Sequence, residues 1–421
     1  MRVYVLNKRG EPLMPTYPRK ARILLKEGKA KVVQRTPFTI QLNYATGECK
    51  QDITLGIDAG SKTIGVSATM EDEELYSSEV ILRNDIVDLL STKRQYRRTR
   101  RNRLRYRKSR FNNRKKEKGW LAPSIQHKID SHLKIAADIH KIVPITKIIV
   151  EVASFDIQKI KNPSINGTDY QQGEQLDFWN VREYVLFRDG HKCHGKGGCK
   201  NKILNVHHIE SRKTGCDAPN NLITLCEDCH DSYHKGNLKL SLKRGQSFKD
   251  AAFMGIMRWV FYNRLKEVYD NVSMTFGYIT KNTRIQNNIE KTHSADAFCI
   301  SGNIKAKRSN VLYSQKFVRK NNRSLHKANL LKGGRRKANK APYLVKGFRL
   351  FDKVLAENKE WFIFGRRSSG YFDLRDLNGH KLNKGSYNCK NIKLLEMTKT
   401  HLTERWYDDS STPLKGSCFH A

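Results

Sequence analysis

Two close cysteine pairs constrain this chain more than any other feature: Cys193 with Cys199, and Cys226 with Cys229 about 30 residues further on. Pairs at that separation suit a tetrahedral Zn²⁺ site, and a block of only about 40 residues is too small to hold itself together without one. Nine cysteines in 421 residues are too sparse for a disulfide scaffold, so the spacing points to metal and not to bridges. Five residues separate the first pair, where two to four are usual, so His194 stands as a competing ligand. Between the pairs, Val206-His207-His208-Ile209 reads as a strand and Asn220-Asn221-Leu222 as a turn. A helix beginning near Cys229 then carries His230 and His234, the latter as a supporting group or a surface residue.

The charge of the chain is as unusual as its cysteines. Lys plus Arg total 80 against 41 acids, a formal net charge of +39 that calls for a polyanion, and nucleic acid is the obvious one. From Lys93 to Lys118, 15 of 26 residues are Lys or Arg and only Glu117 is acidic. With no Pro or Gly before Gly119, the segment predicts a long helix whose scattered apolar residues make no stripe. A helix basic all round repels itself unless phosphates surround it; a disordered tail would sit at a chain end, and this run is internal. Arg94, Arg97, Arg98, Arg101, Arg105 and Arg110 are its candidate nucleic-acid contacts. A second stretch, Lys305 to Lys340, has 13 Lys or Arg, no acid and a Gly333-Gly334 pair, and reads as a loop-rich segment that grips a backbone.

The remainder has the patterning of folded structure. Residues 53–82 read as a three-stranded meander, 123–143 as an amphipathic helix ended by Pro144, and 147–152 as a short buried strand. A polar linker follows at 162–173, helical spacing returns at 248–269, and aromatic-rich runs with Gly turns from Pro342 to Trp406 predict a small antiparallel β domain. Two apolar strands deliver an acid at their ends, Asp58 and Glu151, and His293 and Asp296 share a helix face three residues apart. A carboxylate in an apolar strand is costly unless a partner or metal takes it up. Metals held by Asp58, Glu151 and Asp296 would serve phosphodiester cleavage, and hard oxygen ligands favour Mg²⁺ or Mn²⁺. The strand-Asp-x-Gly turn also opens actin-like and sugar-kinase ATPases, but no later Gly-rich phosphate loop completes that pattern.

The cysteine–histidine block closely resembles the HNH, or ββα-metal, nucleases. The resemblance implies that His208 is the general base, that His207 and His230 hold one divalent metal (Mg²⁺ or Mn²⁺), and that Asn221 fixes the loop. Neighbours on a strand point to opposite faces, so His207 and His208 reach one phosphate only if the strand twists or ends there.

The order of parts is that of a larger family. The basic helix lies between the first and second acid segments, and the HNH block between the second and third. With Glu11-Pro12-Leu13-Met14-Pro15 and the run Ala21 to Ala30 at the start, the chain resembles the IscB proteins, transposon-associated RNA-guided relatives of CRISPR effectors. The fold this implies is an α/β multidomain chain. Its RNase H-like (RuvC) core is split by an arginine-rich bridge helix and an HNH insertion, with a small C-terminal β-rich domain. The expected boundaries are a PLMP-like domain at 1–50, RuvC-like segments at 51–85, 121–165 and 246–304, and the bridge helix at 86–120. HNH with structural zinc would occupy 170–245, a basic segment 305–341, and the β-rich domain, placed to meet a target-adjacent motif, 342–421.

The resemblance further implies an RNA-guided DNA endonuclease, a monomeric ribonucleoprotein with an omega-type noncoding guide RNA and double-stranded DNA as partners. HNH would cut the guide-paired strand and the RuvC-like site the displaced one. A protein-guided HNH homing endonuclease would need neither RNA nor the second site, and a nuclease-dead regulator would not retain both. No run of 18 apolar residues exists and the start lacks a signal peptide's apolar core, so a cytoplasmic, prokaryotic setting without membrane attachment is expected.

Overall fold

A seven-stranded mixed sheet organises most of the chain. The computed structural model describes residues 2–104, 120–152, 174–212, 217–245, 249–319, 342–398 and 400–407. Two units result, Met1–Ala153 with Ile256–Ala421, and Ser154–Gly255.

In the larger unit the sheet runs Val272–Phe276, Lys147–Val152, Thr54–Ala59, Thr63–Thr69, Glu74–Ile81, Val311–Phe317 and His401–Tyr407. The meander expected over 53–82 forms its centre, and the strand expected at 147–152 lies beside it. Thr54–Ala59 pairs in parallel with Lys147–Val152, Leu55 opposite Ile148 and Ile57 opposite Val150. Continued by one residue, that register sets Asp58 beside Glu151 on adjacent strands. Leu55, Ile57, Ile148 and Val150 are buried, as an apolar run in a sheet covered on both faces requires.

Helices cover the sheet. Pro123–His140 starts on a proline, whose missing N–H costs nothing at a helix start, and buries Ile129, Ile135, Ala136 and Ile139. His293–Ser301 is capped by the Thr292 hydroxyl, which accepts from the Ala295 N–H at 3.0 Å, and ends on Gly302 at φ 84°. Two strand glycines admit it. A Cβ on Gly56 would lie 2.1 Å from the Ala297 carbonyl oxygen, and one on Gly65 1.8 Å from that of His293. Only glycine lets helix backbone rest on strand backbone this closely.

Residues 3–42 make a four-stranded sheet, ordered Pro12–Thr16, Val3–Leu6, Thr39–Leu42, Ala30–Gln34. The helix Pro18–Lys26 packs Ala21 and Leu24 onto its Val3, Val5, Ile40 and Leu42. Near the C-terminus a five-stranded antiparallel sheet closes over Val354, Ile363, Phe372 and Leu374.

Two expectations need correcting here. The β domain read from Pro342 to Trp406 stops short of its last strand, because His401–Tyr407 pairs antiparallel with Val311–Phe317 in the main sheet. The stretch from 305, read as loop-rich, contains that strand, with Val311, Tyr313, Gln315 and Phe317 buried in clean alternation. Its remainder at 320–341 lies outside the described residues, as does the polar linker at 162–173.

The basic helix runs Ile86–Leu104, beginning seven residues before the basic run with Asp88 in its first turn. Arg94 and Arg98 are exposed, and Arg97 and Arg101 lie on the same helix. Arg105 and Arg110 fall outside the described residues. No helix among the described residues is long and apolar enough to cross a membrane.

Candidate active sites

In the smaller unit, Leu204–His208 pairs antiparallel with Leu222–Cys226, and Glu227–His234 follows directly as a helix. The sulfurs of Cys193, Cys199, Cys226 and Cys229 all lie within 4.8 Å of one another, a four-sulfur donor set of the kind that fits Zn²⁺. His194 is not part of this group. Gly195 lets the five-residue loop of the first pair close, since a Cβ there would stand 2.7 Å from the Cys229 sulfur.

The strand sends its two histidines apart. His207 is 4% exposed and faces the helix, its ring 5.3 Å from that of His230 and 5.0 Å from that of His234. One ring nitrogen from each of the three lies within 4.8 Å of the others, and the His207 Nε2 is buried with no hydrogen-bond partner. Burial, then His234 and His230, pushes the His207 pKa down to about 4, so the ring is neutral and its nitrogen free to ligate. Such a set fits a divalent ion, and three imidazoles suit a transition metal better than Mg²⁺.

His208 ends the strand and turns the other way. Its Nε2 is 2.8 Å from Asp217 Oδ1, and Arg212 donates to Asp217 Oδ2 at 2.8 Å. The bond to His208, then that to Arg212, holds the Asp217 carboxyl below its ordinary range. An ionised carboxylate only accepts, so Nε2 carries the hydrogen of this bond and Nδ1 is the ring nitrogen left free of it. Asn221 is fully buried and spans the loop after the strand: its Oδ1 accepts from the Glu210 N–H at 2.8 Å and its Nδ2 donates to the Glu210 carbonyl at 3.0 Å.

The carboxylate site lies in the larger unit. Asp58 and Glu151 are 6% and 8% exposed on their adjacent strands. The helix resting on Gly56 and Gly65 brings His293 to Asp58, Nδ1 to Oδ2 at 2.7 Å, and its Ser294 N–H donates to Glu79 Oε1 at 3.0 Å. That bond to Asp58 raises the His293 pKa despite burial, favouring its protonated form. Burial raises Glu151, with Arg258 opposing and Asp58 adding; burial and then Asp58 raise Asp296.

Asp58, Glu151 and Asp296 are not gathered into a ligand cluster as the cysteines and histidines are; arginines stand among them. Arg258 donates from Nη1 to Glu151 Oε1 at 2.7 Å and holds Nη2 3.6 Å from Asp58 Oδ1. Arg284 Nε lies 3.0 Å from Asp296 Oδ1. Two buried acids side by side still make a hard-oxygen donor pair that fits Mg²⁺ or Mn²⁺.

Sequence reasoning missed Arg258, Arg284 and Asp217 and gave His234 too small a part. Arg258 had a signal: it is a lone cation on a helix face whose Met257, Phe261 and Leu265 are buried. Asp217 had none, because it meets His208 only through the loop.

Comparison with known proteins finds matches to two family models, each over part of the chain. Residues 3–173 match the family described as RRXRR protein, and residues 191–236 match HNH endonuclease. Anaredoxin of Nostoc sp. (strain PCC 7120) is 42% identical over 45 residues, which are 10% of this chain and 59% of that protein. Streptococcus thermophilus Cas9, in complex with the AGAA PAM, is similar over 44% of this chain and 26% of that one, at 16% identity and a TM-score of 0.30. The same protein with the GGAA PAM gives 50%, 30%, 16% and 0.33. The chain thus spans under two thirds of the relatives it matches.

Proposed function

We propose that this chain, an IscB-like HNH protein and a metal-dependent DNA endonuclease, is guided by RNA and breaks both strands of its target. The observation that carries the reading is the presence in one chain of two candidate metal sites of different chemistry, imidazoles at His207, His230 and His234 and buried carboxylates at Asp58 and Glu151. A homing endonuclease needs only the first. The larger unit is read as the RNase H-like (RuvC) core, split by the basic helix and by the HNH insertion, with a PLMP-like domain before it. The C-terminal sheet is assigned to the target-adjacent motif.

At the HNH site His207, His230 and His234 would hold the divalent ion. His208 Nδ1 takes the proton of the attacking water, while Asp217 steadies the imidazolium that forms. Asn221 keeps the loop after His208 in register. At the carboxylate site Asp58, Glu151 and Asp296 would hold Mg²⁺ or Mn²⁺, and His293, hydrogen-bonded to Asp58, would supply a proton to the leaving oxygen. A bound divalent ion supplies Lewis-acid stabilisation to the oxygens of the displacement.

The arginines of Ile86–Leu104 are assigned to guide-RNA phosphates. Purification of the protein from its host tests guidance. The expected result is one structured RNA that copurifies and is required for DNA cutting. Cutting at a fixed site after complete RNase digestion would instead promote the homing-endonuclease reading.

A further inference from the structure

Arg258 is the buried cation that the nuclease chemistry leaves unused. Only 8% exposed, it reaches three groups of the carboxylate site: Nε donates to the Ala59 carbonyl at 2.9 Å, Nη1 to Glu151 at 2.7 Å, and Nη2 lies 3.6 Å from Asp58. Asp58 and Glu151 are the two acids a metal at this site would use, so the guanidinium occupies the ground between them. The bond to Ala59 ties it to the end of the Asp58 strand, where it cannot simply swing into solvent. At the histidine cluster, by contrast, the His207 Nε2 is buried without a hydrogen-bond partner among the described residues.

We infer that Arg258 is a built-in competitor for the divalent ion at the carboxylate site, holding Asp58 and Glu151 together in the ion-free protein and weakening ion binding there. The inference rests on the proposed carboxylate site. A unit positive charge a few ångströms from a bound ion opposes it strongly in a buried setting, so removing the charge should tighten binding by at least about tenfold. The cost falls on the ion-free protein, because two adjacent buried carboxylates lose their shared partner. One functional consequence is order. As Mn²⁺ rises, the histidine site should load first and the carboxylate site later, so that one strand is cut at ion concentrations where the other is spared.

The test uses the full-length chain freed of nucleic acid, with the histidine cluster disabled by His207→Ala and His230→Ala. Mn²⁺ binding is followed by loss of the free-ion electron paramagnetic resonance signal, and melting temperature is measured in chelator and in saturating Mn²⁺. Arg258→Gln should bind Mn²⁺ at least about tenfold more tightly, and should melt below its parent in chelator by a margin that narrows with Mn²⁺. Arg258→Lys keeps the charge but cannot span both acids, and should tighten binding by a smaller factor; it also serves if Arg258→Gln does not fold. Equal or weaker Mn²⁺ affinity in the folded variants would overturn the inference. Asp58→Asn separates this from the underlying reading: if it binds Mn²⁺ as its parent does, the carboxylate site itself is wrong, whatever Arg258 does.

Discussion

The two sites are built in opposite ways. The candidate side chains of the cysteine–histidine unit come from residues 193–234, held on one hairpin, its loop, one helix and the irregular segment that carries Cys193 and Cys199. Those of the carboxylate site come from 58 and 151 on two strands of the seven-stranded sheet and from 258, 284, 293 and 296 on three helices. Around the cysteines, apart from the cysteines themselves, Leu225 and Leu238 are the buried members of the apolar cluster among the described residues. The acids, by contrast, sit in a continuous core of Leu55, Ile57, Ile64, Val66, Ile148 and Val150. A site made from adjacent residues can afford a small core if an ion ties it. One made from distant residues needs a rigid frame first.

The largest effect should come from breaking the local tie. Cys226→Ser, or stripping of zinc, should unfold residues 174–245, since structural zinc contributes on the order of 10 kcal/mol or more to small modules. Hydrogen exchange should show protection lost there and retained in the strands around Asp58. Loss in both regions together would break the comparison.

A frame defect should do the reverse. Gly65→Val forces a side chain against the His293 carbonyl, a backbone contact that cannot yield cheaply. We expect at least about 2 kcal/mol of destabilisation, from overpacking, in the larger unit. Cleavage by the carboxylate site should be lost while the histidine site continues to nick. A crystal structure of Gly65→Val with His293 and Asp296 in place would contradict this account of the helix seat.

Acid should loosen the larger unit independently of metal. Burial pushes His132 and His401 down to about 4. Below pH about 6.5 the unfolded chain therefore takes up protons that the folded one refuses. The stability these residues allow is full above that pH and falls as pH drops towards 4, by roughly 2–3 kcal/mol for each. Denaturant melts at pH 7.5 and 5.0 in the presence of chelator measure it, and His401→Gln should flatten the difference. Equal slopes for parent and variant would remove His401 from the explanation.

The same contrast decided what the sequence could disclose. The cysteines and His207, His208 and His230 announce themselves because their spacing is their geometry. Asp58 and Glu151 were legible as acids closing apolar strands, and the paired register of those strands places them together. Arg258, 107 residues from Glu151, was not, because helical spacing does not say which sheet a helix covers. The strand Val311–Phe317 alternates cleanly, yet the charge around it drew the reading towards a loop. Gly56 and Gly65 look like ordinary strand glycines until a helix backbone is found against them.

The claim of two independent sites is tested most directly by strand-resolved cleavage of a doubly end-labelled target by the RNA-loaded protein. The parent should cut both strands. Asp58→Ala should cut only the guide-paired strand and His208→Ala only the displaced one, each lost cut falling by at least about a hundredfold. If either single change, in a protein that still folds and binds RNA, abolished both cuts or neither, the two-site account would be contradicted.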